Sequence, residues 1–146
     1  MSTLKVDTYL TRGGASEIAI DKLKGVTATG SMLVVGEGGT VTTSLQQGLN
    51  KAWLAVNQDG TMAILDSFNI GSISDDGTGK TDATYTSNMS SANYSNSVTA
   101  GNSNNKRGHF FSPSTSQQQI EVHQVSANST DTDSTYVCSF VAGDLA

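Results

Sequence analysis

LNKAWLAVNQDGTMAILDSFNI, residues 49–70, decides how the rest of the chain is read. Two apolar-rich runs, 52–56 and 62–68, flank Asn57-Gln58-Asp59-Gly60, and Asp-Gly between such runs signals a hairpin turn with positive φ. The stretch also carries the only tryptophan, Trp53. A large aromatic in a strand offers more area for burial than its neighbours, so Trp53 is expected in the core of a β domain.

Outward from this hairpin the pattern stays β. Residues 70–74 continue as strand and break at Asp75-Asp76-Gly77-Thr78-Gly79, a second hairpin signal. After it Thr81, Ala83 and Tyr85 fall on one face. Residues 119–125 alternate Ile120, Val122 and Gln124 against Gln119, Glu121, His123 and Val125, and 136–141 form the strongest β-former run, suited to a central strand. About seven short strands with frequent turn signals predict an all-β fold, an antiparallel, jelly-roll-like β-sandwich over 52–146. Residues 101–108, GNSNNKRG, read as a surface loop, and Pro113, the only proline, as a strand edge.

Upstream, the chain is thinner. Leu4, Val6, Thr8 and Leu10 alternate with polar residues, and later apolar runs are short and separated by glycines. Isolated short strands do not hold together without partners. Residues 1–43 are therefore expected to form an extended β-rich shaft or attachment arm, ordered by other subunits. Ser44-Leu45-Gln46-Gln47 fits a capping box, and Leu45 and Leu49 lie one turn apart, so 44–51 is expected to form a neck, either as a short helix of about two turns or as a connector turn. Leu45, Leu49 and Trp53 are the candidate trimer and neck contacts.

Composition agrees with self-association. Only 36% of the 146 residues are hydrophobic on a list that counts tyrosine and leaves out glycine, against about 45–50% apolar in an ordinary domain on a slightly different list, which counts glycine and leaves out tyrosine. Oligomerisation is a standard remedy for a weak single-chain core. A net charge of −5 argues against a general electrostatic surface for nucleic acid or anionic membrane. No run is long enough for a membrane span, and the start carries no signal-peptide pattern, so synthesis in the cytoplasm is expected. The single cysteine, Cys138, excludes an internal disulfide and sits in an apolar strand as a small hydrophobe.

Chemical motifs are weak. Gly77-Thr78-Gly79-Lys80-Thr81 resembles the end of a phosphate-binding loop, but Ser74 stands where its first glycine is needed, and a strand rather than a helix follows. Asp75-Asp76 and Asp131-Thr132-Asp133 match no calcium-loop spacing. His109 and His123 lack the spacing of a metal pair; one histidine repeated around a trimer axis is the arrangement left open. No nucleophile elbow or triad is evident, so no enzyme, no cofactor and no metal site are expected. Asn93, Tyr94, Asn104, Asn105, Lys106, Arg107 and His109 are the candidate surface-binding residues, aromatic and polar groups suited to the face of a sugar.

Several of these segments resemble a known family. Lys51-Ala52-Trp53-Leu54-Ala55-Val56-Asn57, Asp66-Ser67-Phe68-Asn69-Ile70, Ser72-Ile73-Ser74-Asp75-Asp76-Gly77-Thr78-Gly79, the MSSANY of 89–94 and the YVCSFVAGD of 136–144 are similar to the C-terminal domain of tailed-bacteriophage tail fibres and other virion appendages. Leu4-Lys5-Val6-Asp7-Thr8 resembles the opening of such proteins. The likeness covers roughly 49–100 and 134–144, while 102–126 departs from it. It implies a non-enzymatic, homotrimeric virion component, a tail or head fibre assembled in the bacterial cytoplasm. The N-terminal arm would anchor on another virion protein, and the projecting domain would serve host attachment. A capsid decoration protein without receptor role and a stand-alone carbohydrate-binding module are the alternatives.

Overall fold

The computed structural model describes residues 32–36, 39–101, 105–125 and 130–146. Along them run β1 (Leu33–Val35), β2 (Thr42–Ser44), a helical turn α1 (Leu45–Gly48), β3 (Asn50–Asn57), β4 (Ala63–Phe68), β5 (Ile70–Asp75), β6 (Lys80–Tyr85), β7 (Ser95–Gly101), β8 (Lys106–Pro113), β9 (Gln117–Gln124) and β10 (Tyr136–Ala142). Eight of these strands build two antiparallel four-stranded sheets, ordered β4-β3-β10-β7 and β5-β6-β9-β8. The sheets pack face to face as a sandwich. β3–β4, β5–β6 and β8–β9 are hairpins that each stay within one sheet.

The turns follow from local chemistry. Gly60, Gly77 and Gly79 all have positive φ, the conformation that Asp-Gly and Thr-Gly turns demand. Asn69 also has positive φ, at 59°, where the chain leaves β4 in the first sheet and enters β5 in the second. Its side chain secures that corner. The amide Nδ2 donates to the carbonyls of Lys51 and Ser87, both at 3.0 Å, and Oδ1 accepts from the Ser87 N–H at 2.7 Å.

Alternation along the strands sets the core. Leu54, Val56, Ala83, Ile120, Val122 and Val137 form the larger buried cluster, and Ala52, Tyr85, Met89 and Val141 a smaller one at one end. Gln118, fully buried, donates from Nε2 to Ser139 Oγ at 3.0 Å and so joins β9 of one sheet to β10 of the other. Gln58, also buried, bonds the Gly79 carbonyl and Thr81 Oγ1 at 3.1 and 3.0 Å.

Trp53 is not in this core. Ala52, Leu54 and Val56 take the inward side of β3, so period-2 geometry turns Trp53 to the outer face, where it is half-buried. Cys138 is likewise only partly buried, opposite Ala55 on β3. The expected loop over 101–108 shortens as well, because Lys106, Arg107 and Gly108 already belong to β8 and pair with β9.

Of the arm expected over 1–43, residues 1–31 lie outside the described residues. The described remainder is the β1–β2 hairpin. One helical turn at Leu45–Gly48 is shorter than the two-turn neck expected, and Gly48 precedes the strand that begins at Asn50. The buried Lys51 ammonium donates to the carbonyls of Gln46 and Leu49, closing the end of that turn.

Candidate functional site

Two surfaces stand out. The first is the outer face of the sheet β4-β3-β10-β7. Trp53 pairs directly with Phe68 on β4 and with Phe140 on β10, so three aromatic residues form one cross-strand row. Phe68 and Phe140 are 51% and 48% exposed. Tyr136 is half exposed on the same strand as Phe140. The β1–β2 hairpin adds Leu33, Val34 and Val35, all about half exposed. Consecutive strand residues point to opposite faces, so neither face of that hairpin is covered within the described residues. Leu49 is exposed, and Leu45 is half-buried on α1.

The second is a charged cluster on the outer face of the other sheet. Register places Lys80 of β6, Glu121 of β9 and His109 of β8 in one row, with His123 two residues along β9 on the same side. Glu121 is only 5% exposed. Its Oε1 faces the Lys80 ammonium at 3.5 Å. Its Oε2 receives two imidazoles, His109 Nδ1 at 3.5 Å and His123 Nε2 at 3.4 Å. The two rings lie 5.5 Å apart between centroids. Asp131 closes the far side, with Oδ1 2.9 Å from His123 Nδ1 and Oδ2 3.6 Å from Lys80 Nζ. The Asp131 contact is close but not aligned as a hydrogen bond, which leaves the buried Nδ1 without a hydrogen-bond partner.

The backbone reason for this convergence is the segment after β9. The Gln124 N–H donates to the Thr130 carbonyl and the Thr132 N–H to the Val122 carbonyl, laying 130–132 alongside the end of β9. Gly79 lies under it: a Cβ there would come within 3.0 Å of Val122 and Thr132 backbone atoms. Asp133 Oδ1 accepts from the Gly79 N–H at 2.6 Å. The glycines that resemble a phosphate loop thus serve a hairpin and its packing, and Lys80 serves a carboxylate.

The structure divides the expected surface-binding residues. Asn93 and Tyr94 line a shallow recess of about 280 Å³ with Ser90, Ser91, Gly143 and Asp144. Tyr94 is tied inward: its hydroxyl accepts from Tyr85 at 3.1 Å and reaches the Ser114 and Gln117 carbonyls, and its ring meets Tyr85 and Phe110 edge-on. Burial, and then the bond to Tyr94, push the Tyr85 hydroxyl above the ordinary tyrosine range; burial also raises Tyr94. Asn105, Lys106 and Arg107 stand at the opposite end of β8 from Pro113, which adjoins Ser114. At about 3.3 Å per strand residue they stand about 10–17 Å along β8 from Phe110, the residue of that strand whose ring meets Tyr94. Lys106 donates to the Asp133 carbonyl at 2.6 Å. Asn104 lies outside the described residues. His109 leaves this polar set and joins Glu121 and His123, a grouping whose only trace in sequence is Glu121 and His123 two apart on one strand face.

No protein-family model, curated protein or solved structure matches this chain at a significant level.

Proposed function

We propose that this chain is a structural, non-enzymatic protein that assembles with copies of itself, as a homotrimeric fibre or spike of a tailed-phage virion. The observation that carries the assembly is the aromatic row Phe68-Trp53-Phe140 on a sheet face where both phenylalanines are half exposed among the described residues. Contiguous exposed apolar surface on a folded domain marks an interface. The occupant is a second copy, because the β1–β2 hairpin needs covering on both faces and short hairpins do not persist alone. The phage assignment rests on the sequence resemblance. Residues 1–43 then form the shaft and dock on another virion protein, residues 44–51 the neck, and the sandwich projects. The recess at Asn93 and Tyr94 is where a host glycan would be met.

Light scattering of the purified full chain tests the assembly. A trimer is expected, and Phe68→Ser with Phe140→Ser should yield a monomer with unchanged circular dichroism, since both side chains are half exposed. A wild-type monomer at micromolar concentration with an intact fold would overturn the assembly. Incorporation into virions of a chain lacking residues 1–43 would overturn the anchoring.

A further inference from the structure

We propose that His109, Glu121 and His123 form a zinc-class metal site, with Asp131 positioning His123. One ligand atom from each of the three residues lies within 4.8 Å of the other two. The finer geometry favours a cation over a set of ion pairs. A charge-assisted N–H to carboxylate contact closes to about 2.7–2.9 Å, but both imidazole nitrogens stop at 3.4 and 3.5 Å from Glu121 Oε2. Those are the spacings of neighbouring ligands, since two bonds of about 2.0–2.1 Å at a tetrahedral angle put their ends about 3.3–3.4 Å apart.

The chemistry of the set points the same way. Both histidines of the chain meet here, although nothing in their spacing requires it. Two imidazoles and one carboxylate are the donors of a three-ligand zinc site, which leaves one position of the tetrahedron to water. Calcium and magnesium want oxygen throughout, so nitrogen-rich coordination selects a first-row transition ion instead. Asp131 Oδ1 stands 2.9 Å from the other nitrogen of His123, where a small turn of the ring would align the hydrogen bond by which a carboxylate orients a ligating imidazole. Glu121 and Asp131 against Lys80 leave a surplus negative charge that a cation would neutralise. Bound there, the ion would pin the edge strand β8 to β9 and, through Asp131, to the segment that follows β9.

The test uses the full chain, free of any affinity tag and stripped with a chelator. Zinc is titrated in competition with a chromophoric chelator, and cobalt is substituted as a spectroscopic probe. The expected result is one zinc per chain with micromolar or tighter affinity, and intense four-coordinate cobalt bands. His109→Ala and His123→Ala should each weaken binding at least tenfold, and Asp131→Asn about tenfold. His109 is half exposed, so its variant should keep the apo melting temperature. Zinc at 100-fold excess over the wild-type Kd should raise the wild-type Tm by about 5–10 °C and that of a variant weakened tenfold by about half as much. Absence of zinc competition, equal affinity in His123→Ala, or only weak six-coordinate cobalt bands would overturn the site. The site lies on the sheet away from the aromatic row, so an outcome here leaves the trimer test independent.

Discussion

Asn69 shows how one side chain sets the path of the chain. It holds the left-handed conformation at the only corner where β4 passes to β5, and its amide joins the Lys51 and Ser87 backbones there. Asparagine tolerates this φ better than other residues with a Cβ, and glycine better still. Asn69→Gly should therefore lose only the side-chain bonds, about 1–2 kcal/mol, while Asn69→Ala adds backbone strain for about 2–4 kcal/mol in all. Urea denaturation of the two variants checks the order; equal losses would remove the strain argument. Trp53 gives the opposite lesson at this scale. Its size suggested the core, but its place in the strand's alternation turned it outward to meet Phe68 and Phe140.

Between elements, the sheets are joined by polar as well as apolar contacts. Gln118 of β9 and Ser139 of β10 meet across the sandwich, fully or almost fully buried, and Gln118 Oε1 has no hydrogen-bond partner. Removing one member of a buried pair leaves the other unsatisfied, which costs more than removing both. Ser139→Ala should destabilise by about 1–3 kcal/mol, and Gln118→Met combined with it should recover most of that loss. Chemical denaturation of the single and double variants measures the coupling; additive losses would show that the contact contributes nothing of its own. The inward faces of the strands were legible, though not their pairing. Thr81, Ala83 and Tyr85 were read on one face from alternation, as were Ile120 and Val122, and all five are buried. The turns were legible too, because Asp59-Gly60 and Gly77 through Gly79 need positive φ.

For the whole molecule, the smaller core cluster should set the alkaline limit of stability. The Tyr85 hydroxyl, raised by burial and by its bond to Tyr94, stays protonated in the folded chain at pH values where the unfolded chain ionises. Its contribution is fully present below about pH 10, the unfolded value, and is lost as pH rises above it. The melting temperature should thus be level from neutral to mildly alkaline pH and fall beyond about pH 10. Tyr85→Phe should flatten that fall in a thermal melt series; an unchanged slope would place the alkaline sensitivity elsewhere. The residues in and around this cluster include Met89 and Tyr94 of the segment MSSANY, 89–94. In the structure Met89 is core and Tyr94 packs against it, so both help to close this end of the sandwich.

By itself the sequence determined the β class, most strand positions, the inward faces of β6 and β9, the Asp-Gly turns and the central place of β10. These are local properties, since a period of two and the steric demands of positive φ act within a few residues. Only the tertiary structure decided which strands share a sheet and which face of β3 is buried. It alone brought His109 beside Glu121 and His123. Those depend on register between strands far apart in the chain, and a shift of one residue would have turned the histidine to the other face.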